Sequence, residues 1–128
     1  MDKQSISTEG APRTGLPYSQ AIRFADLVFV SGQVGLAPTT GRVVDGGIRA
    51  QTRQTLENIR TILQAAGSSL DRVLKTTCFL ASMDDFDAFN SAYREFFPTD
   101  PPARSTFQVG RLGPGFLVEI EAIAAGGS

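Results

Sequence analysis

The chain has 128 residues, 41% of them hydrophobic and 20% charged, which suits one globular domain with a core of its own. The net charge of −1 lacks the basic footprint of a nucleic-acid binder, and no apolar run reaches the length of a membrane span. Histidine is absent and Cys78 is the one cysteine, which excludes Ser-His-Asp and Cys-His catalysis, an intrachain disulfide, and zinc of the usual protein types.

The first residues, Met1-Asp2-Lys3-Gln4-Ser5, show no apolar signal segment, so a cytoplasmic location is the default expectation. Neither G-x-x-x-x-G-K-[ST] nor G-x-G-x-x-G occurs, so both nucleotide fingerprints are missing. Any catalysis has to rest on carboxylates, Arg, Lys, Tyr, hydroxyls, Cys78, backbone amides or water.

In chain order, Lys3 to Thr8 alternates weakly and reads as an edge strand. Gly10 to Tyr18 holds Pro12, Gly15 and Pro17 and reads as an irregular surface segment. Tyr18 ends it, either as a packing aromatic or as the wall of a pocket. Gln20–Phe24 and Leu27–Val34 read as two strands joined at Ala25-Asp26. Within the second, Ser31-Gly32-Gln33 breaks the apolar run. A glycine there marks a bulge, a close approach by backbone or ligand, or the strand's end. Ala37 to Gly47 is a loop.

Ile48 to Ala66 is the clearest helix. Ile48, Thr52, Leu56, Ile59, Leu63 and Ala66 fall on one stripe, and Gly67 suits the position just past the end. Asp71 to Leu80 forms a strand in which Cys78 reads as a buried, inert thiol. Ser82 opens a second helix, with Asp84 and Asp85 at its positive end. Phe86, Phe89, Tyr93 and Phe97 make an aromatic stripe that reads as core. Asn90, on the same helix, is either an exposed polar residue or a buried one bonded to backbone. Pro98, Pro101 and Pro102 end the helix.

Pro102 to Val109 and Leu117 to Ile123 read as a strand pair joined by a tight turn at Gly113-Pro114-Gly115. Alternation places Ser105, Phe107, Val109, Val118, Ile120 and Ala122 toward the core. It puts Arg104, Thr106, Gln108, Glu119 and Glu121 on the opposite face. A guanidinium near carboxylates on rigid strands makes either a carboxylate-binding site or a solvated salt bridge. The element order points to an α+β fold, a two-layer sandwich with two helices on one face of the sheet. The other sheet face, mixed apolar and charged, is then left for a subunit interface.

Several stretches together resemble the RidA/YjgF family of enamine and imine deaminases. They are Pro17-Tyr18-Ser19-Gln20, Val30-Ser31-Gly32-Gln33, Gln54-Thr55-Leu56-Glu57-Asn58, Asp85-Phe86 with Asn90 and Tyr93, and Pro102-Ala103-Arg104-Ser105 followed by Val118-Glu119-Ile120-Glu121-Ala122-Ile123. The similarity runs from about Ile6 to Ala124, within a single domain over residues 1–128. It implies a chorismate-mutase-like mixed sheet, a homotrimer with clefts between subunits, and hydrolysis of 2-enamine and 2-imine acids to 2-keto acids and ammonia. No cofactor, metal, nucleic acid or membrane is implied. Residue by residue, Arg104 matches the arginine that grips the substrate carboxylate, and Glu119 the glutamate that manages the attacking water. Tyr18, Ser31, Gly32 and Asn90 match further pocket or supporting positions. Thr106 stands where the family archetype has Cys, which preserves any contact made by the backbone.

Residue chemistry agrees with that implication. A guanidinium matches a planar carboxylate by two parallel hydrogen bonds, and an imine carbon is already electrophilic. A non-catalytic metabolite binder with the same clamp is the alternative, and ribonuclease activity fits least with the acidic balance. The expected hairpin register sets Arg104 opposite Ile123 and Glu119 opposite Gln108. The pair then share a face but lie roughly 13 Å apart at the usual strand rise, so the working site is expected to take one residue from each of two subunits.

Overall fold

Alternation in Leu27–Val34 builds strand β3: Val28 and Val30 are buried while Leu27 and Phe29 stay exposed. It returns antiparallel from Ala21–Phe24 (β2) through a turn in which Ala25 takes a φ of 53°. Gln4–Ile6 (β1) adds to the outer edge of β2. The structure, a computed structural model, describes residues 2–127; Met1 and Ser128, the outer ends of the expected domain, lie outside the described residues.

Helix α1 spans Gly47–Ala65, and the expected stripe of Thr52, Leu56, Ile59 and Leu63 is its buried face. Its end is fixed by Gly67 at a φ of 79°, a left-handed conformation open to a residue without Cβ. There Gly67 N–H bonds the Gln64 carbonyl at 3.1 Å and Ser68 N–H bonds the Leu63 carbonyl at 2.8 Å. A 3-10 turn, Leu70–Arg72, leads into β4, Val73–Leu80. The second helix begins later than the sequence indicates. Ser82 Oγ accepts from Asp84 N–H at 3.1 Å and caps a 3-10 turn, Met83–Asp85, before α2 runs over Phe86–Phe96. Strands β5, Ala103–Gln108, and β6, Val118–Ala125, complete the chain.

The six strands lie in the order β1-β2-β3-β6-β4-β5. Strand β6 runs antiparallel to both β3 and β4, so those two are parallel to each other with the last strand inserted between them. Strand β5 lies parallel to β4 at the free edge, joined to it through α2. Both helices cover one face, and Leu56, Ile59, Ile62, Leu63 and Phe89 meet Val28, Val30, Cys78, Leu80, Val118 and Ile120 in one core cluster. The expected α+β sandwich with two helices on one side of a mixed sheet is thus the architecture found.

The expected β5–β6 hairpin is not. Strand β4 lies between them: Cys78 aligns with Thr106 on one side and with Ile120 on the other. The segment around Gly113-Pro114-Gly115 is a crossing loop, and the Arg104–Ile123 and Glu119–Gln108 pairings do not form. The expected faces of β5 are also reversed. Arg104 and Thr106 share the register of Thr76 and Cys78, which are buried against the helices, while Phe107 is 46% exposed on the uncovered face.

Polar side chains pin the irregular segments to this frame. Asn58, on α1 and buried, donates through Nδ2 to the carbonyls of Val34 and Leu36 at 3.2 and 3.0 Å, where β3 ends. Replacing Asn58 by Ala strands both carbonyls and opens a small void. The expected cost is about 2 kcal/mol, read as a lower urea midpoint with an unchanged slope.

Candidate active site

Two residues singled out by the sequence lie in two separate hollows on opposite faces of the sheet. The first hollow, about 620 Å³, forms on the uncovered face where β3 and β6 meet the irregular segment before β2. Tyr18, Ser31, Gly32, Phe116, Glu119 and Glu121 are among its walls. Strand β3 bulges between Val30 and Gln33, and Ser31 and Gly32 occupy the bulge. A Cβ on Gly32 would collide with the Glu119 carboxylate, so the bare backbone here is what gives that side chain its berth. Ser31 is held from both ends: its N–H bonds the Gln20 carbonyl at 3.0 Å, and its hydroxyl donates to the Ser19 carbonyl at 2.6 Å. Tyr18 is half exposed, and its hydroxyl accepts from Thr14 at 3.1 Å.

Glu119 is half-buried and has no ion-pair partner among the described residues. Burial pushes its carboxyl above the ordinary value, and the neighbouring charge of Glu121 pushes it further the same way. It is therefore a carboxyl suited to exchanging protons nearer neutrality than a free glutamate.

The second hollow, about 270 Å³, lies on the helix side at the β5 edge, between Arg104, Asn90, Tyr93 and Pro102. Arg104 Nη1 donates to Asn90 Oδ1 at 2.8 Å. The guanidinium carbon sits 4.8 Å from the ring centre of Tyr93, 5.4 Å from Phe89 and 5.9 Å from Phe86. No carboxylate pairs with Arg104 among the described residues. Asn90 is thus neither exposed nor bonded to backbone: it is half-buried, and its partner is the Arg104 guanidinium. Thr106, two positions along β5, keeps its hydroxyl shut off from solvent and without a hydrogen-bond partner among the described residues. Cys78 beneath it is fully buried, and burial pushes its thiol up to about 11, in keeping with the inert role expected.

The sequence places Arg104 and Glu119 on one face; the structure places them on opposite faces. Arg104 aligns with Thr76 and, beyond it, Ala122. Glu119 aligns with Phe79 and lies between the buried Val118 and Ile120, so it points away from the helices. Two strand spacings and three residues of offset separate their backbones by roughly 14 Å, before the sheet itself intervenes.

Gln51 lies outside every motif singled out in the sequence, and Gln20 and Asn58 lie within motifs that do not reveal what they hold. Gln51 on α1 donates to the Gly115 carbonyl and accepts from Leu117 N–H, both at 2.9 Å, and so holds the loop that carries Phe116. Gln20 gathers the segment before Tyr18 by accepting from Thr8 N–H at 2.7 Å and donating to the Thr8 and Pro12 carbonyls. Gln51, Thr55 and Asn58 follow helical spacing beside the apolar stripe, which was the available signal. The aromatic stripe Phe86, Phe89 and Tyr93 also proves to be more than core.

Sheet order, helix placement and the two hollows define a small α+β protein with an arginine that has no carboxylate partner among the described residues in one hollow and a glutamate of raised carboxyl in the other. A family model described as endoribonuclease L-PSP matches residues 8–126. A RutC family protein of Pyrococcus horikoshii is 49% identical over 122 residues, covering 95% of this chain and 97% of its own. The 2-iminobutanoate/2-iminopropanoate deaminase of Mus musculus is 45% identical over 125 residues, covering 98% of this chain and 93% of that protein. The crystal structure of E. coli TdcF with bound serine superposes with a TM-score of 0.90 at 38% identity, covering 95% of this chain and 98% of that one. The chain belongs to the RidA/YjgF family.

The raised Glu119 carboxyl has a measurable consequence. Folded, the group holds its proton more tightly than unfolded, so stability falls as pH rises from the ordinary carboxyl range through the folded value. Glu119→Gln carries no such penalty. Thermal melts should show the variant more stable than wild type at about pH 7.5 and no more stable at about pH 4.

Proposed function

We infer that this chain hydrolyses reactive 2-imino acids, and their 2-enamine tautomers, to 2-keto acids and ammonia. The observation that carries this reading is the Arg104 guanidinium, which has no carboxylate partner among the described residues and lines a hollow large enough for a small anion. Kinship to deaminases named for 2-iminobutanoate and 2-iminopropanoate supports the substrate class, and the relative solved with bound serine supports a small carboxylate ligand.

In this mechanism Arg104 receives the substrate carboxylate through two parallel hydrogen bonds and so fixes the imine carbon. Water attacks that carbon while Glu119 takes a proton from it, and a new C–O bond forms as the C=N double bond becomes single. That proton passes to nitrogen, which gives a carbinolamine; Glu119 then takes the hydroxyl proton and delivers it to the amine, the C–N bond breaks with its electron pair leaving on ammonia, and the oxygen closes to a carbonyl. Imine and water become keto acid and ammonia, with no change of oxidation state. Tyr18, Ser31 and Gly32 wall the side of the substrate that faces Glu119, and Asn90 and Thr106 flank the arginine.

Because the two residues lie on opposite faces of one chain, we assign the working site to a boundary between copies, Arg104 from one and Glu119 from its neighbour, within a homotrimer. The uncovered sheet face supports such an assembly: Phe24, Leu27, Phe29 and Phe107 are all exposed on or beside it.

The test couples a pyridoxal-phosphate-dependent serine or threonine dehydratase to this protein and follows keto-acid release. Acceleration by wild type is expected. Arg104→Ala should abolish it and Arg104→Lys should restore little, since an ammonium lacks the fork. Glu119→Gln should lose rate but keep keto-acid affinity. Mixed Arg104→Ala and Glu119→Gln subunits should regain activity that neither has alone. Ligand binding by wild type without acceleration would make the chain a non-catalytic binder.

A further inference from the structure

We propose that Arg104 is held by a deliberately uncharged cradle, with Asn90 and Tyr93 as positioning residues that fix the guanidinium while leaving its charge unspent for a carboxylate ligand. The inference deepens the clamp assigned above and rests on it. Arg13, Arg53 and Arg60 are held by glutamates, while Arg23 and Arg72 give their guanidinium donors to backbone carbonyls, so a side-chain cradle with a charge-free partner has to be distinguished from both arrangements. Arg104 follows neither. One of its five donors is spent on a neutral amide oxygen, and aromatic faces supply the remaining attraction without accepting a hydrogen bond.

The cradle is tied to the strand it serves. Tyr93 gives the nearest ring, and its hydroxyl lies 2.8 Å from Thr76 Oγ1 on β4. Thr76 is the register partner of Arg104 in the β4–β5 pair. Helix α2 is thereby fixed to β4 at the position that pairs with Arg104 of the edge strand, and the ring cannot slide from under the guanidinium without breaking a buried hydrogen bond. Phe86, Asn90 and Tyr93 fall at helical spacing on one face of α2, so one turn-by-turn stripe supplies floor and clamp together. Burial holds the Tyr93 phenol up at about 12, which keeps the ring neutral across the working range.

The deciding substitution is Asn90→Asp, which preserves shape and adds one negative charge 2.8 Å from Nη1. Binding of 2-ketobutyrate, the stable keto-acid product, is measured by calorimetry up to millimolar concentration, beside KM, kcat and thermal midpoint in the coupled assay. Asn90→Asp should weaken 2-ketobutyrate and raise KM by about thirtyfold or more, with an unchanged or higher midpoint, because the new ion pair stabilises the fold and occupies the fork. Asn90→Ala should lose less affinity than Asn90→Asp. Tyr93→Leu should raise KM about tenfold while Tyr93→Phe stays within about threefold, since the ring face is what counts. Phe96→Leu, a ring truncation on the same helix away from Arg104, should lower the midpoint and leave KM alone. A merely structural role predicts the reverse for Asn90→Asp: affinity would follow stability. Wild-type affinity in Asn90→Asp, equal loss in Tyr93→Phe and Tyr93→Leu, or no 2-ketobutyrate binding by wild type would overturn the proposal. If Tyr93→Leu fails to fold, the isosteric Asn90→Asp decides. The expected order of affinities without acceleration of keto-acid release by wild type would sink the deaminase reading and leave the cradle standing. Turnover with Asn90→Asp unimpaired would do the opposite.

Discussion

The hydrogen bonds that seat β6 between β3 and β4 are the constraint on which the rest of the molecule depends. They bury Val118, Ile120, Ala122 and Ala124 against the helices and so turn Glu119 and Glu121 outward on the other face. They make β3 and β4 parallel neighbours across an inserted strand, which requires α1 as the crossover. They also push β5 to the edge, where a half-buried arginine can be reached by a small molecule. The first hollow is complete only when this last strand is in place, because one of its walls is β6 itself.

Elements set by local pattern were legible in the sequence. The period of α1, the left-handed glycine at its end, and the alternation of β3 each depend on residues close together. The bulge at Ser31-Gly32 was legible for the same reason: glycine in a strand admits few explanations, and here bulge and close approach hold together. Strand order was not legible. Gly113-Pro114-Gly115 between two alternating runs is an honest hairpin signal, and nothing local says that β4, more than twenty residues upstream of β5, takes the place beside β6 instead. The error carried over to faces. Phe107 drew β5 the wrong way round because an apolar residue was given to the core, whereas Phe107 packs edge-on against Phe79 at 5.3 Å on the uncovered side. Arg104 turns inward because α2 presents it with an aromatic floor, a partner that no spacing within β5 reveals.

Buried amides carry the irregular parts of the molecule. Gln20 holds the segment before Tyr18, Gln51 the loop before β6, and Asn58 the end of β3. Each joins a rigid element to a piece of backbone that has no ladder of its own, and each satisfies groups that burial would otherwise leave unpaired. These are the three stretches that frame the hollow around Glu119. Its shape is therefore set from behind by neutral hydrogen bonds, which leaves the surface toward the substrate free of structural charges other than the two carboxylates.

The same economy of charge explains why Arg104 and Glu119 stand on opposite faces of one chain. Side by side in a monomer, a guanidinium and a carboxylate would pair at once. The pair would fill the fork that the substrate carboxylate needs, and the arginine would draw the Glu119 carboxyl down to where it surrenders its proton too readily to return one. Kept apart by the sheet, each holds its own reactivity: Arg104 its unspent charge on neutral rings, Glu119 its raised carboxyl against the bare backbone of Gly32. In the site proposed above, the substrate lies between two copies of the chain, with its carboxylate toward Arg104 of one and its imine carbon toward Glu119 of the other. A histidine-free chain needs no further machinery for hydrolysis at a carbon that is already electrophilic, because the two features required, a fixed anion anchor and a carboxyl able to trade a proton, both arise from desolvation without ion pairing.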